Sequence, residues 1–182
     1  MSRPLVSLAL ALLPALALAA GEPARPESRG PDLSHPWTLG SRLPAFEGRN
    51  LADRTGGKLA LSAFAGRPML VNLWASWCGP CVSELPGLGR LHGTFGPRGL
   101  QVVGVSIDDH VSEAEMVAGD LDLKFTLLFD QTRAASDAWR AASIPASFLY
   151  DREGRLVWRH SGVLRFDDPA FVAALEQVVA KP

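Results

Sequence analysis

Cys78 and Cys81, the chain's only two cysteines, stand in the stretch NLWASWCGPCVSEL (72–85) with two residues between them. Three chemistries are open to such a pair: a stapling disulfide, a metal clip, or a reversible thiol–disulfide couple. A bridge across so short a loop constrains the unfolded chain little, which argues against a staple. Structural zinc usually takes four Cys or His ligands. His35, His92, His110 and His160 are scattered without ligand spacing. The pair therefore reads as a redox reagent, with no metal and no cofactor beyond the Cys78–Cys81 disulfide itself.

The elements around the pair give it direction. MLVNLW (69–74) is a short apolar run that reads as a buried strand. A helix follows from Cys78 to about Thr94, with Pro80 in its first turn and Val82, Leu85, Leu88 and Leu91 as its apolar stripe. A thiol at the start of a helix faces unpaired backbone N–H groups at the positive end of the dipole, which favours the thiolate. Cys78 is thus read as the exposed attacking thiol. Cys81, one turn on, is the buried resolving thiol. Gly79 and Pro80 tune the potential through the backbone geometry and the amides near sulfur.

Strands and helices alternate through the rest of the chain. LQVVGVSI (100–107) and FTLLFD (125–130) read as strands, and between them SEAE (112–115) reads as a capping box opening a helix. RAASDAWRAA (133–142) reads as a further helix, SFLYD (147–151) and LVWRH (156–160) as a hairpin, and Asp168-Pro169 as the start of a last helix through Val179. Short extended pieces and a turn at Gly56-Gly57 occupy 43–64. The sum is a βαβ unit followed by ββα: an α/β domain with a mixed central sheet.

The N-terminus reads as a targeting segment, with Arg3 ahead of an uncharged 16-residue stretch, LVSLALALLPALALAA (5–20), that ends in small residues. It is expected to be a signal peptide over 1–20, or else an uncleaved anchor, so the domain is exported to the periplasm or its equivalent. Residues 21–36, with four prolines and two glycines, read as a linker, leaving one domain over 37–182 that begins near Trp37. A formal net charge of -1 over 182 residues, with no basic tract, gives no footing for nucleic-acid binding.

The stretch VNLWASWCGPC resembles the thioredoxin-superfamily active site, and Glu84 with Pro86 behind Cys81 narrows the resemblance to exported TlpA/ResA-like thiol–disulfide oxidoreductases, with a redoxin or AhpC/TSA-like domain. It spans roughly 43–180. The resemblance implies a thioredoxin fold with a βα insertion near the strand at 126 and an N-terminal extension. It implies that Asn72 replaces a titratable Asp of plain thioredoxins, and that Glu84 is a buried acid/base serving Cys81, whose proton must leave before it attacks. It implies that Pro145, after Ile144, is a cis-proline facing the pair, although Ser143 and Ala146 depart from the usual G-x-P-T. Trp77 is expected to form an apolar docking surface beside Cys78, Trp74 to be core packing, and Pro86 to kink its helix.

A reductant is the leading reading, because Gly-Pro between the cysteines accompanies low potential in these relatives. The implied partners are a protein disulfide substrate, such as apocytochrome c during its maturation, and a membrane thiol electron donor. An oxidant or isomerase, whose relatives carry CPHC or CGHC, is the alternative. A copper chaperone is disfavoured by the CxxC spacing. A peroxidatic site is disfavoured because residues 71–78 hold neither the Pro nor the Thr of that motif.

Overall fold

The computed structural model of the protein describes residues 38–180. The expected signal segment, the linker and Trp37 lie outside the described residues. Seven strands form one mixed sheet. An interior strand, β3 (Met69–Trp74), is buried at every position, as its run of apolar residues, broken only by Asn72, predicts. On one side β3 pairs in parallel with β4 (Gln101–Ser106), and β4 in parallel with β5 (Thr126–Phe129). Beyond β5 lie β1 (Glu47–Asn50) and β2 (Lys58–Ala60), both antiparallel to their neighbours. On the other side β3 pairs antiparallel with β6 (Ala146–Tyr150), which pairs antiparallel with the edge strand β7 (Leu156–Ser161).

Successive strand residues point to opposite faces, so each strand feeds two cores. Leu70, Trp74, Val102, Leu127 and Leu149 pack with Leu85, Leu88 and Leu91 of α1 (Gly79–Phe95) and with Phe171 and Leu175 of α4 (Pro169–Ala180). On the other face Val71, Leu73, Val103, Val105 and Phe148 pack with Leu61 and Trp139. The Trp139 indole donates to the buried Tyr150 hydroxyl at 3.0 Å. Desolvation pushes the Tyr150 phenol well above its ordinary range. Asp168 caps α4, accepting from the amides of Ala170 and Phe171 at 2.9 and 3.0 Å.

Three expectations need correction. The helix α2 (Val111–Asp120) begins two residues earlier than a box capped by Ser112 implies, with His110 as N-cap. The Glu113 carboxylate accepts from the His110 amide at 3.3 Å, while Glu115 is drawn off to Arg49 on β1 at 3.0 Å. The helix placed over 133–142 shrinks to α3 (Ala134–Ala138), because Arg133 and Arg140 both adopt positive φ, 58° and 42°. Val82 is half-buried, and the inner face of α1 is completed instead by Cys81, Glu84 and Gly87. Among the described residues, no helix is long and apolar enough to cross a membrane.

Candidate active site

The site is assembled where β3 and β4 end side by side. Beyond Trp74 the chain turns, and the Cys78 amide donates to the Ala75 carbonyl at 3.1 Å. Asp108, just past β4 and 1% exposed, holds this turn. Its Oδ1 accepts from the Ser76 amide at 2.8 Å and the Ser76 hydroxyl at 2.7 Å, and its Oδ2 accepts from the Ser106 hydroxyl at 2.7 Å. Sequence reasoning passed over Asp108. The available signal was SIDD, an acid at the carboxyl end of a buried parallel strand, where α/β sheets gather their sites.

Cys78 is the N-cap of α1, extended at φ -93° and ψ 92°, and its Sγ accepts from the Cys81 amide at 3.3 Å. The sulfur therefore sits over the unpaired amides that the sequence placed beneath it. The two cysteines are joined, with S–S 2.05 Å and Cα–Cα 5.2 Å. Cys78 is 8% exposed and Cys81 fully buried, so the attacking cysteine is less open than expected. Bonded to Cys81, it is folded inward over the helix end, but it remains the member of the pair that reaches the surface. Around it, Gly79 and Pro80 are exposed, and Trp77 is 62% exposed. Trp74 lies wholly in the core.

Behind the pair, on the α1 side of the sheet, lies a buried polar cluster. Glu84, 3% exposed, occupies the turn after Cys81. Its Oε1 accepts from the Asn72 side-chain amide at 2.6 Å, and its Oε2 from the Leu164 backbone amide at 2.7 Å. The same Asn72 nitrogen donates to the Ser147 hydroxyl at 3.0 Å, while Asn72 Oδ1 is buried without a partner. Burial raises the Glu84 carboxyl above its ordinary value, and the two hydrogen bonds and the charge of His160 offset part of that rise. A carboxyl so raised is better matched to taking a proton from a thiol than a solvated one.

The Ile144–Pro145 peptide is cis. Ile144 is half-buried and Pro145 buried. The Leu73–Ala146 register of β3 and β6 sets Pro145 beside the end of β3, where the chain turns toward Cys78. The Pro145 carbonyl accepts from the Gly162 amide at 2.8 Å, which ties it to the loop whose Leu164 amide reaches Glu84. The structure thus gathers Cys78, Cys81, Glu84, Trp77, Gly79, Pro80, Ile144 and Pro145 at one end of the sheet. The backbone amide of Leu164, 80 residues from Glu84, has no signature in side-chain spacing. A separate cleft of about 480 Å³, lined by Arg49, Lys58, His110 and Thr132 among others, includes none of these residues.

Comparison with known proteins places this geometry. The AhpC/TSA family pattern matches residues 39–159. Thiol-disulfide oxidoreductase ResA of Bacillus thuringiensis subsp. konkukian is 26% identical over 68% of this chain and 70% of its own. ResA of Bacillus subtilis is 28% identical over 65% of this chain and 64% of its own. A Chlorobium tepidum crystal structure that carries the provisional name thiol:disulfide interchange protein DsbE superposes with TM-score 0.71 at 27% identity, covering 78% of this chain and 98% of that one. A thiol:disulfide interchange protein from a Bacteroides species superposes with TM-score 0.68 at 25% identity, over 80% of this chain and 93% of that one. The chain belongs to the AhpC/TSA family on the thioredoxin fold, and it is a thiol–disulfide oxidoreductase whose redox couple is Cys78–Cys81.

Proposed function

We propose that the protein is an exported reductant of protein disulfides, working outside the cytoplasm after cleavage of its N-terminal segment or while anchored by it. The observation that carries this reading is the Cys78–Cys81 couple, with Gly79-Pro80 between its cysteines, at the head of α1 and with buried Glu84 one turn behind it. In the reduced protein the Cys78 thiolate, favoured by the helix N-terminus, attacks one sulfur of the substrate disulfide. A Cys78–substrate disulfide forms and the first substrate thiolate leaves. Glu84 takes the proton from Cys81. The Cys81 thiolate then attacks Cys78 Sγ, forming the Cys78–Cys81 bond and releasing the second substrate thiolate. The dithiol has lost two electrons and the substrate disulfide has gained them.

Trp77 offers the incoming chain an apolar surface beside Cys78. The backbone flanking the cis Pro145 offers it an extended partner. Surroundings that oxidise thiols require the couple to be recharged, and a membrane thiol electron donor fills that role. Apocytochrome c, with its paired cysteines awaiting haem, is the proposed substrate. The test is a Cys81→Ser variant mixed with an oxidised CxxCH peptide. The expected product is a stable adduct through Cys78, found by mass spectrometry. An adduct that forms no faster than with a scrambled peptide disulfide removes apocytochrome c from the proposal.

A further inference from the structure

The Val163–Leu164 peptide makes a hydrogen bond from each end. Its N–H donates to Glu84 Oε2 at 2.7 Å, and its carbonyl oxygen lies 3.2 Å from Nε2 of His160. A carbonyl oxygen only accepts, which assigns the proton to Nε2. One conjugated amide therefore stands between an exposed imidazole and a buried carboxylate. Hydrogen bonds in series polarise one another, so a donor on the carbonyl makes the N–H a stronger donor in turn.

We infer that His160 is a positioning residue for thiol–disulfide exchange, acting through the Val163–Leu164 peptide to strengthen the hydrogen bond that holds Glu84 as a carboxylate one turn from Cys81. The inference rests on the reading of Glu84 as the acid/base for Cys81. Its geometry is fixed at several points. Gly162 takes φ 95°, a turn open to glycine, and its amide is held by Pro145, so the path from His160 to Leu164 is short and pinned. The imidazole stacks on Trp158 at 5.8 Å and 17°, and Trp158 packs on Phe171 at 4.8 Å. His160 and Ser147 are direct partners across β6 and β7, so both side chains stand on the sheet face that carries Glu84. Ser147 also accepts from the Asn72 amide that donates to Glu84.

The groups facing Glu84 from each element are Asn72 from β3, Ser147 from β6, the disulfide-bonded Cys81 from α1, the Leu164 amide, and His160 from β7. Among the described residues, His160 is the one whose charge acts on Glu84, and it favours the carboxylate, in the same sense as the peptide route. A buried base is thereby linked to a solvent-exposed ring.

The test is the carboxyl titration of Glu84, followed by 13C NMR in the full oxidised chain, for wild type, His160→Ala and His160→Gln. In H160A the midpoint rises, and at a fixed pH near it the carboxylate-to-acid ratio falls roughly 2- to 5-fold, the range of an exposed charged interaction. In H160Q a neutral donor remains, and the midpoint lies between the other two. An unmoved midpoint in H160A overturns the inference. So does a midpoint in H160Q equal to that of H160A, because the peptide then carries nothing. Turnover of Glu84→Gln is measured separately: wild-type turnover there would refute the role of Glu84 and leave the titration result standing.

Discussion

Glu84→Gln is the substitution that separates charge from shape at this site. Glutamine fits the same space but offers one acceptor, which Leu164 N–H can keep. Its amide then faces Asn72, and half a turn of the Asn72 side chain presents Oδ1, which has no partner in the wild type; the Ser147 hydroxyl, which accepts from Asn72 Nδ2 in the wild type, then donates to Oδ1, and Nδ2 takes over the unpartnered position. Both contacts survive at neutral strength, each weaker by about 1 kcal/mol than its charge-assisted form. Against that loss, the buried charge and its desolvation disappear. The two effects oppose each other, so stability at neutral pH changes by about 1 kcal/mol or less. The pH dependence is where the difference lies. Burial raises Glu84 above its unfolded value, so the folded chain holds that proton more tightly. The resulting stabilisation is complete below the unfolded pKa and is lost as pH rises through the folded pKa, at up to about 1.4 kcal/mol per pH unit between them. Wild type therefore loses stability relative to E84Q across that window in urea titrations. Kinetically, Cys81 without its base resolves the mixed disulfide roughly 100-fold more slowly or worse. Acid quenching and mass spectrometry of a single turnover should trap the adduct in E84Q and not in wild type. An E84Q enzyme that resolves the adduct at the wild-type rate throughout the pH range refutes the assignment of Glu84.

Other substitutions test the frame that holds the couple. At Gly104 on β4, an added Cβ would meet Leu127 Cδ2 at 2.8 Å and Trp74 Nε1 at 3.2 Å, so Gly104→Ala should lower the unfolding free energy by about 1–3 kcal/mol. Tyr150→Phe strips the partner from the buried Trp139 indole and should cost about 1–3 kcal/mol, read from thermal melts. Asp108→Ala removes the acceptor of the Ser76 amide and hydroxyl; stability should fall by about 2–4 kcal/mol and exchange should slow, while Asp108→Asn, which keeps one acceptor, should lose less.

Much of this architecture is legible in the residues because local rules and tertiary burial agree there. MLVNLW is apolar at every position but Asn72 and is buried on both faces. Asp168 before Pro169 starts a helix in the chain as it does in pattern. The hairpin of β6 and β7 turns at Gly154, which takes φ 71°. Where two local signals compete, distant contacts decide. Glu113 and Glu115 both suit a capping box, and Arg49 on β1 claims the second. The alanine-rich segment after Thr132 carries neither glycine nor proline, so nothing in it announces the positive φ at Arg133 and Arg140. The cysteine couple is readable because its chemistry lies within four residues. Its support is not: Asp108 lies 32 residues from Ser76 and Leu164 lies 80 from Glu84, contacts made by sheet register and loop closure.

The direction of electron flow is the central claim, and the equilibrium potential of the Cys78–Cys81 couple against defined thiol buffers tests it most directly. Each ~30 mV corresponds to ~1.4 kcal/mol for this two-electron exchange. A value near that of thioredoxin, ~-270 mV, is the result expected of a reductant. A value near ~-120 mV, that of a strong oxidant, would contradict the account and make the protein a donor of disulfides.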